Sequence, residues 1–155
     1  MRLELLFLGK TKETYLAVGI DDYAKRLSHY LKFEIKTVKD GRIRKGEPEK
    51  FLIEKESVNL LQSVQGDYLV CLDRTGKQID SIALAKQLER WEMYGPQKIS
   101  FVIGGPLGLS ATILKKADLV LSLSPMTFTH DMTRLLLLEQ LYRACTIKAG
   151  EKYHK

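Results

Sequence analysis

The residues best suited to chemistry follow a late, largely apolar run. Residues 99–103 lead directly into Gly104-Gly105-Pro106-Leu107-Gly108. Glycine costs chain entropy in a turn, so it usually marks a positive φ or a close approach of the backbone to another group. One glycine would be explained by turn chemistry alone, but three within five residues at a strand end favour a bound ligand. Gly104, Gly105 and Gly108 are therefore predicted to bind a ligand.

The composition of this loop restricts the ligand. Phosphate sites usually combine backbone amides with a lysine or a hydroxyl; the loop has neither, and Pro106 has no N–H. The dinucleotide pattern G-x-G-x-x-G, the phosphate loop G-x-x-x-x-G-K-[ST] and the hydrolase elbow G-x-S-x-G are also absent from the sequence. A neutral, flat group such as an adenine ring suits the loop better. No His, Cys or carboxylate cluster has metal-ligand spacing, so no metal is predicted.

The elements that must position this loop alternate between strands and helices. Apolar or alternating runs predict strands at 3–8, 33–39, 68–73, 99–104 and 118–124, with a turn at 74–77. Helical spacing predicts helices at 14–30, 51–64, 80–94, 111–117 and 131–148, the fourth capped by Ser110. This alternation predicts an α/β fold with a largely parallel sheet, in one domain spanning 1–155. If the last three strand ends are adjacent, their loops converge on one crevice.

Two helices have predicted inward faces. The inward residues of the second are Phe51, Ile53, Val58, Leu61 and Val64, and those of the third are Ile82, Leu84, Ala85, Leu88 and Trp91.

Composition places the chain in a broad class. Its 155 residues are 45% hydrophobic and 28% charged, as in an ordinary globular protein. No run approaches the roughly 20 apolar residues of a membrane span, and the N-terminus lacks the cleavage site of a signal peptide. Cys71 and Cys145 form no C-x-x-C and are predicted to be buried thiols. We therefore expect a cytoplasmic protein that is not associated with a membrane.

The charge points to a class of partner. The formal net charge is +6, which favours either a polyanion such as RNA or simply a soluble surface. Four cations, Lys39, Arg42, Arg44 and Lys45, cluster in a glycine-punctuated segment without apolar periodicity, which we call the basic loop (residues 39–45). Its Arg42, Arg44 and Lys45 are the predicted RNA-binding residues.

Several motifs together carry a family resemblance. IGGPLGLS, LERW, SLSPMTFTHDMTRLLLLEQLYRA and a terminal YH resemble the RlmH family of SPOUT methyltransferases, and the likeness covers essentially the whole chain. The resemblance implies a trefoil-knotted fold, a homodimer and S-adenosyl-L-methionine as cofactor. It also implies methylation of N3 of a pseudouridine in helix 69 of 23S ribosomal RNA, on the large subunit or the assembled 70S ribosome.

The resemblance also assigns residues. It places Leu72, Gly105 and the run Ser124, Pro125, Met126, Thr127, Phe128 and Thr129 at cofactor-binding positions. It places His130, Arg143, Tyr153 and His154 at positions that meet the RNA or the target base. Thr129 departs from relatives that carry proline there, which affects only local rigidity of the loop.

The chemistry of the acceptor gives these residues candidate roles. N3–H of pseudouridine is a weak imide acid, so transfer requires removal of a proton and stabilisation of the resulting charge. His154 is a candidate base, Arg143 a candidate charge stabiliser, and Tyr153 completes the predicted catalytic set. Two alternatives stay open: a methyltransferase acting on another RNA or on protein, and a non-catalytic RNA-binding protein.

Overall fold

In a computed structural model, which describes residues 1–42 and 44–154, strands and helices alternate along the chain. The strands are β1 (Arg2–Leu8), β2 (Lys32–Val38), β3 (Tyr68–Gln78), β4 (Lys98–Ile103) and β5 (Leu119–Ser122). The helices are α1 (Thr14–Leu27), α2 (Glu49–Ser63), α3 (Ser81–Tyr94), α4 (Ala111–Lys116) and α5 (His130–Lys148). The strands form one sheet in the order β2-β1-β4-β3-β5, and every pairing is parallel. The predicted α/β fold is confirmed.

Helices cover both faces of the sheet, as the apolar character of its strands requires. On one face, α1, α3 and α5 pack against Leu3, Leu5 and Phe7 of β1. On the other face, α2 and α4 pack against the alternate residues of the same strand, Leu6 and Leu8. The strand β1 is therefore buried on both sides, which agrees with its continuous apolar run.

Strand order decides which loops meet. Because β4 lies between β1 and β3, and β5 lies beyond β3, the carboxyl ends of these four strands share one edge of the sheet. The loops that follow them begin at Gly9, Gly104 and Leu123, and the distal part of β3 begins near Asp73. The crevice predicted from three strand ends thus has a fourth contributor, the β1–α1 loop.

Two local predictions are wrong. The predicted turn Arg74–Lys77 lies inside β3, which continues to Gln78. Leu72 and Lys77 both lie opposite Leu121 of β5, so the residues between them form a bulge rather than the end of the strand. Gly76 permits the close approach of this segment to β5, because a Cβ there would lie 2.6 Å from the backbone of Val120. Turn-type residues do not end the strand, because it pairs with β5 on both sides of the bulge.

The inward face of α2 is also shifted from the prediction. Phe51 and Val58 are 60% and 39% exposed, whereas Leu52, Glu56 and Leu60 are buried. The spacing i, i+4, i+8 is helical, but a carboxylate as its middle member gives no sequence signal of a buried face. Glu56 is accommodated because it accepts a hydrogen bond from the Gly41 amide at 3.0 Å. In α3 the prediction is right except for Ile82, which is 47% exposed.

Local signals elsewhere are confirmed. Ser110 caps α4 by accepting from the Ile113 amide at 3.4 Å. Cys71 and Cys145 are buried free thiols, and burial raises their pKa values to about 12 and about 11. Both are therefore thiols rather than reactive thiolates at neutral pH.

Candidate functional site

The four strand ends enclose a cleft of about 820 Å³, which is within the usual size range of small-molecule sites. Nine of the ten residues predicted to bind the cofactor line it, and only Pro125 does not. The nine are Leu72, Gly104, Gly105, Gly108, Ser124, Met126, Thr127, Phe128 and Thr129. Sequence reasoning therefore located this cleft, although it omitted one of its walls.

The glycine loop owes much of its composition to its own closure. The Gly108 amide donates to the Gly105 carbonyl at 3.0 Å, closing a four-residue turn, and Gly108 has φ +81°. A Cβ on Gly104 would lie 2.8 Å from the Gly108 oxygen, and one on Gly105 would meet Leu8 at 3.0 Å, behind the cleft. Contacts and backbone conformation within the chain therefore explain why each of these three positions is glycine. Residues 104–109 line the cleft, and the side chains among them are apolar, which suits a flat, uncharged ligand.

The loop between β5 and α5 forms the opposite wall and is ordered by its own side chains. Ser122 Oγ donates to the Ser124 carbonyl at 2.9 Å, and the Met126 amide donates to Ser124 Oγ at 3.0 Å. Thr129 caps α5 by accepting from the Met132 amide at 3.2 Å. Met126 is 74% exposed, so this wall presents an apolar side chain to the open cleft.

The lining of the cleft combines apolar and charged side chains. Leu72, Ile103 and Leu121 are apolar, and an uncharged ring beside them would be desolvated at little cost. Lys12, Glu13, Arg74, His130 and Asp131 are polar. Such an arrangement can hold a ligand that has both a flat ring and a charged portion, and it leaves room for a second polar reactant.

The β1–α1 loop, which sequence reasoning missed, is held in place by α5. Asp131 Oδ2 accepts from the backbone amides of Lys12 at 2.9 Å and Glu13 at 3.3 Å. Arg134, with no exposed surface, donates to the Leu8 carbonyl and, at 3.0 Å, to Thr11 Oγ1. We call Asp131 and Arg134 the loop clamp. The sequence signal for this clamp is an arginine placed one turn into an otherwise apolar helix.

His130 lies at the junction of this clamp and the cleft. Its Nε2 atom is 3.2 Å from Asp131 Oδ1, and its side chain is 18% exposed. Burial lowers the pKa of His130, and the negative charge of Asp131 opposes that shift only in part. The imidazole is therefore neutral at pH 7.

The remaining predicted catalytic residues lie elsewhere in the chain. Arg143 donates to Glu139 Oε1 at 2.7 Å, and its guanidinium lies 4.7 Å from the ring centre of Tyr153. The Tyr153 hydroxyl lies 3.1 Å from that of Tyr23 in α1. Burial and hydrogen bonding to Tyr23 raise the pKa of Tyr153, so it is a neutral phenol. His154 follows Tyr153 and is half-buried. We call these three residues, Arg143, Tyr153 and His154, the tail cluster.

The tail cluster is far from the cleft of its own chain. Arg143 follows His130 by thirteen residues of continuous α5, and an α-helix rises about 1.5 Å per residue, which separates them by about 20 Å. Side chains at the two positions therefore cannot meet around one small reactant. The three predicted catalytic residues are brought together with each other, but not with the predicted cofactor residues.

The basic loop lies outside the cleft. Arg42, Arg44 and Lys45 are exposed on the segment between β2 and α2. At this position they can contact a large polyanion but not a cofactor bound in the cleft. Ile43, within this loop, is outside the described residues.

Across residues 1–42 and 44–154, no group of three or more His, Cys, Asp or Glu side chains is arranged to hold a metal ion. No described helix is long and apolar enough to cross a membrane.

The parallel sheet and the cleft between its glycine loop and the β5–α5 loop define an α/β protein of the SPOUT methyltransferase class. A family model described as "Predicted SPOUT methyltransferase" matches residues 1–154. A structure of a putative methyltransferase from Legionella pneumophila, in complex with bound SAM, superimposes with a TM-score of 0.53 at 14% identity, covering 93% of this chain and 66% of that one.

Curated relatives extend the likeness over the full length. "Ribosomal RNA large subunit methyltransferase H" of Desulfotalea psychrophila is 51% identical over 156 residues, covering 100% of both chains. "Putative ribosomal RNA large subunit methyltransferase H" of Methanoregula boonei is 45% identical over 159 residues, again over 100% of both. The chain belongs to the SPOUT methyltransferase family, in the group whose members carry the name ribosomal RNA large subunit methyltransferase H. Membership in that family implies the knotted topology expected from the sequence.

Proposed function

We propose that this protein transfers a methyl group from S-adenosyl-L-methionine to N3 of a pseudouridine in helix 69 of 23S ribosomal RNA. The observation that carries the proposal is the meeting of nine predicted cofactor residues in one cleft whose lining combines apolar and charged side chains. The names of relatives at 51% and 45% identity support ribosomal RNA as the substrate. The SAM bound to the Legionella neighbour supports the identity of the methyl donor.

The cleft fits this donor chemically. The glycine turn offers backbone groups and only apolar side chains, and Leu72 and Leu121 offer an apolar surface for an adenine ring. Glu13 and Asp131 also line the cleft, where a carboxylate can balance a positively charged portion of the ligand. When bound, S-adenosyl-L-methionine supplies an electrophilic methyl group. The residues of this chain orient it, and orientation alone can contribute about 7–11 kcal/mol to lowering the barrier.

The RNA is recognised through charge and shape. The net charge of +6 and the exposed cations of the basic loop give phosphate affinity without sequence specificity. We therefore infer a large, shaped target, the large subunit or the 70S ribosome, rather than a short oligonucleotide. Such a substrate places the enzyme in the cytoplasm, where ribosomes assemble and work.

The tail cluster acts on the partner's cleft in a homodimer. About 20 Å of helix separate Arg143 from the cleft of its own chain, so these residues reach a reacting base only if a second copy supplies them. Exposed apolar side chains beside the cleft suit such a contact: Tyr15 and Val18 of α1 are 69% and 65% exposed. In a two-fold dimer the same surface serves both copies, so each cleft would receive one tail cluster.

A tagged heterodimer tests this arrangement. One copy carries Thr127→Trp, which fills the cleft from an exposed position, and the other lacks residues 151–155. Each homodimer is expected to be inactive. If the tail acts on the partner, the doubly purified heterodimer keeps one intact site of two and about half the wild-type activity, as two-fold symmetry requires. An inactive heterodimer whose subunits still fold and dimerise would contradict the arrangement.

The reaction itself is tested on ribosomes. Radiolabelled methyl transfer to 70S particles, to free 23S RNA and to protein, followed by mapping of the modified nucleotide, separates the proposed target from another RNA or a protein. Equilibrium dialysis with S-adenosyl-L-methionine separates an enzyme from a non-catalytic RNA-binding protein, which would show no saturable site. Transfer to a nucleotide outside helix 69 would overturn the assignment of the target but not that of the enzyme class.

A further inference from the structure

We propose that His130, oriented by Asp131, is the base that removes the proton from the acceptor nitrogen. This inference rests on the proposed function, since it concerns the acceptor side of the same cleft. It differs from the sequence-based candidate, His154. The chain has three histidines, all within the described residues, and His130 is the one that lines the cleft of its own chain.

The geometry is that of an oriented imidazole. Asp131 is 3% exposed, and its Oδ2 atom is fixed by the backbone amides of Lys12 and Glu13. Its other oxygen, Oδ1, is buried and accepts no hydrogen bond from any described residue, yet His130 Nε2 lies 3.2 Å from it. A small rotation of the ring aligns Nε2–H with Oδ1. That hydrogen bond would leave Nδ1 as an unprotonated acceptor.

The charges around His130 keep it able to accept a proton. Burial lowers the pKa of His130; Asp131 raises it, and Arg134 and Lys12 lower it. The remaining contribution is from Asp40, in the β2–α2 loop, which raises it. Since burial is the largest of these effects, the imidazole is unprotonated at neutral pH and its Nδ1 lone pair is available.

The proton and electron balance of the step is complete with these groups. The N3–H proton passes to Nδ1 of His130 as the N3 electron pair forms the bond to the methyl carbon. The carbon–sulfur bond breaks and its electron pair returns to sulfur, so the sulfonium becomes a neutral thioether. The positive charge moves to the imidazolium, which lies beside the Asp131 carboxylate, and the proton is later lost to solvent.

Single-turnover methyl transfer to ribosomes tests the base. His130→Ala is expected to reduce the rate by about 10²–10⁴-fold, the usual cost of losing a general base, while S-adenosyl-L-methionine affinity measured by calorimetry stays within a few-fold. His29→Ala, at an exposed position after α1, is the matched control and should leave the rate unchanged. His130→Gln, which keeps a polar side chain but cannot take a proton, should be as slow as the alanine variant.

The pH profile separates proton transfer from a structural role. In the wild type, the rate should fall as pH drops through the pKa of His130, which lies below 6.5. That acid limb should disappear in both His130 variants, and added imidazole should restore part of the rate of His130→Ala. A rate within a few-fold of wild type, or an acid limb that persists, would overturn the assignment. A wild-type enzyme inactive on ribosomes would instead refute the proposed function.

Discussion

Removing the arginine of the loop clamp should destabilise the protein far more than removing a surface arginine. In Arg134→Met, the apolar side chain keeps most of the buried volume but makes neither the hydrogen bond to the Leu8 carbonyl nor that to Thr11. It also leaves Asp131 without the cation 3.3 Å from its Oδ1. Both residues are buried, so water cannot replace the lost partners.

The magnitude follows from the burial of that pair. Breaking a buried ion pair by removing one partner costs about 3–5 kcal/mol, and two backbone amides remain on Asp131 to hold its charge. For a domain of this size each kcal/mol corresponds to about 2–4 °C, so the midpoint of unfolding should fall by roughly 6–20 °C. Arg26→Met is the matched control, because its pair with Asp22 at 2.9 Å is exposed and exposed ion pairs contribute little to stability.

The assay is thermal unfolding, with urea unfolding for the free energy, of wild type, Arg134→Met, Arg134→Lys and the Arg26 control at one protein concentration, since the stability of the proposed dimer would depend on concentration. Arg134→Lys keeps the charge, but its single ammonium group cannot replace both guanidinium hydrogen bonds, so it should be intermediate. A loss below about 1 kcal/mol in Arg134→Met would refute the clamp as a buried ion pair. Normal S-adenosyl-L-methionine affinity in a folded Arg134→Met protein would refute its role in shaping the cleft.

Three further predictions concern the sheet and the two binding surfaces. Burial alone would raise the pKa of Glu4, but hydrogen bonds from Lys36, Ser100 and the Gln65 amide outweigh it and lower the pKa from 4.5 to about 2. The stabilisation that the ionised Glu4 provides is therefore full above pH 4.5 and is lost as pH falls toward 2. Glu4→Gln should lower the unfolding midpoint most at pH 7 and least near pH 2. A difference between wild type and variant that stays constant with pH would contradict this. In Gly104→Ala, the added Cβ would lie 2.8 Å from the loop backbone and displace it. Calorimetry should then show S-adenosyl-L-methionine binding weakened by about 10-fold, which is the cost of one misplaced hydrogen bond. An affinity equal to that of wild type would show that this loop does not contact the cofactor. Replacing the three predicted RNA-binding cations of the basic loop with alanine should reduce the salt slope of ribosome binding by about 2–3, and an unchanged slope would exclude the loop from the RNA footprint.

The sequence alone determined the fold class and most of the cleft. Alternating strand and helix periods are local properties of the chain, so they predicted an α/β fold with a parallel sheet before any contact was known. The glycine turn was found in the same way, because turn closure depends on neighbouring residues, whereas the run before α5 was assigned to the cofactor by the motif resemblance. The motif resemblance then indicated which family uses them.

Only the tertiary structure decided how these parts meet. Strand order placed β1 beside β4 and so brought the β1–α1 loop into the cleft, and pairing with β5 resumed beyond the bulge formed by the turn-like residues of β3. Packing also selected the face of α2 that includes Glu56, because a distant amide satisfies its carboxylate. The rigid length of α5 separated His154 from the cleft of its own chain and left His130 inside that cleft. These are long-range outcomes: they depend on which surfaces are buried against each other, and no local pattern in the chain records that.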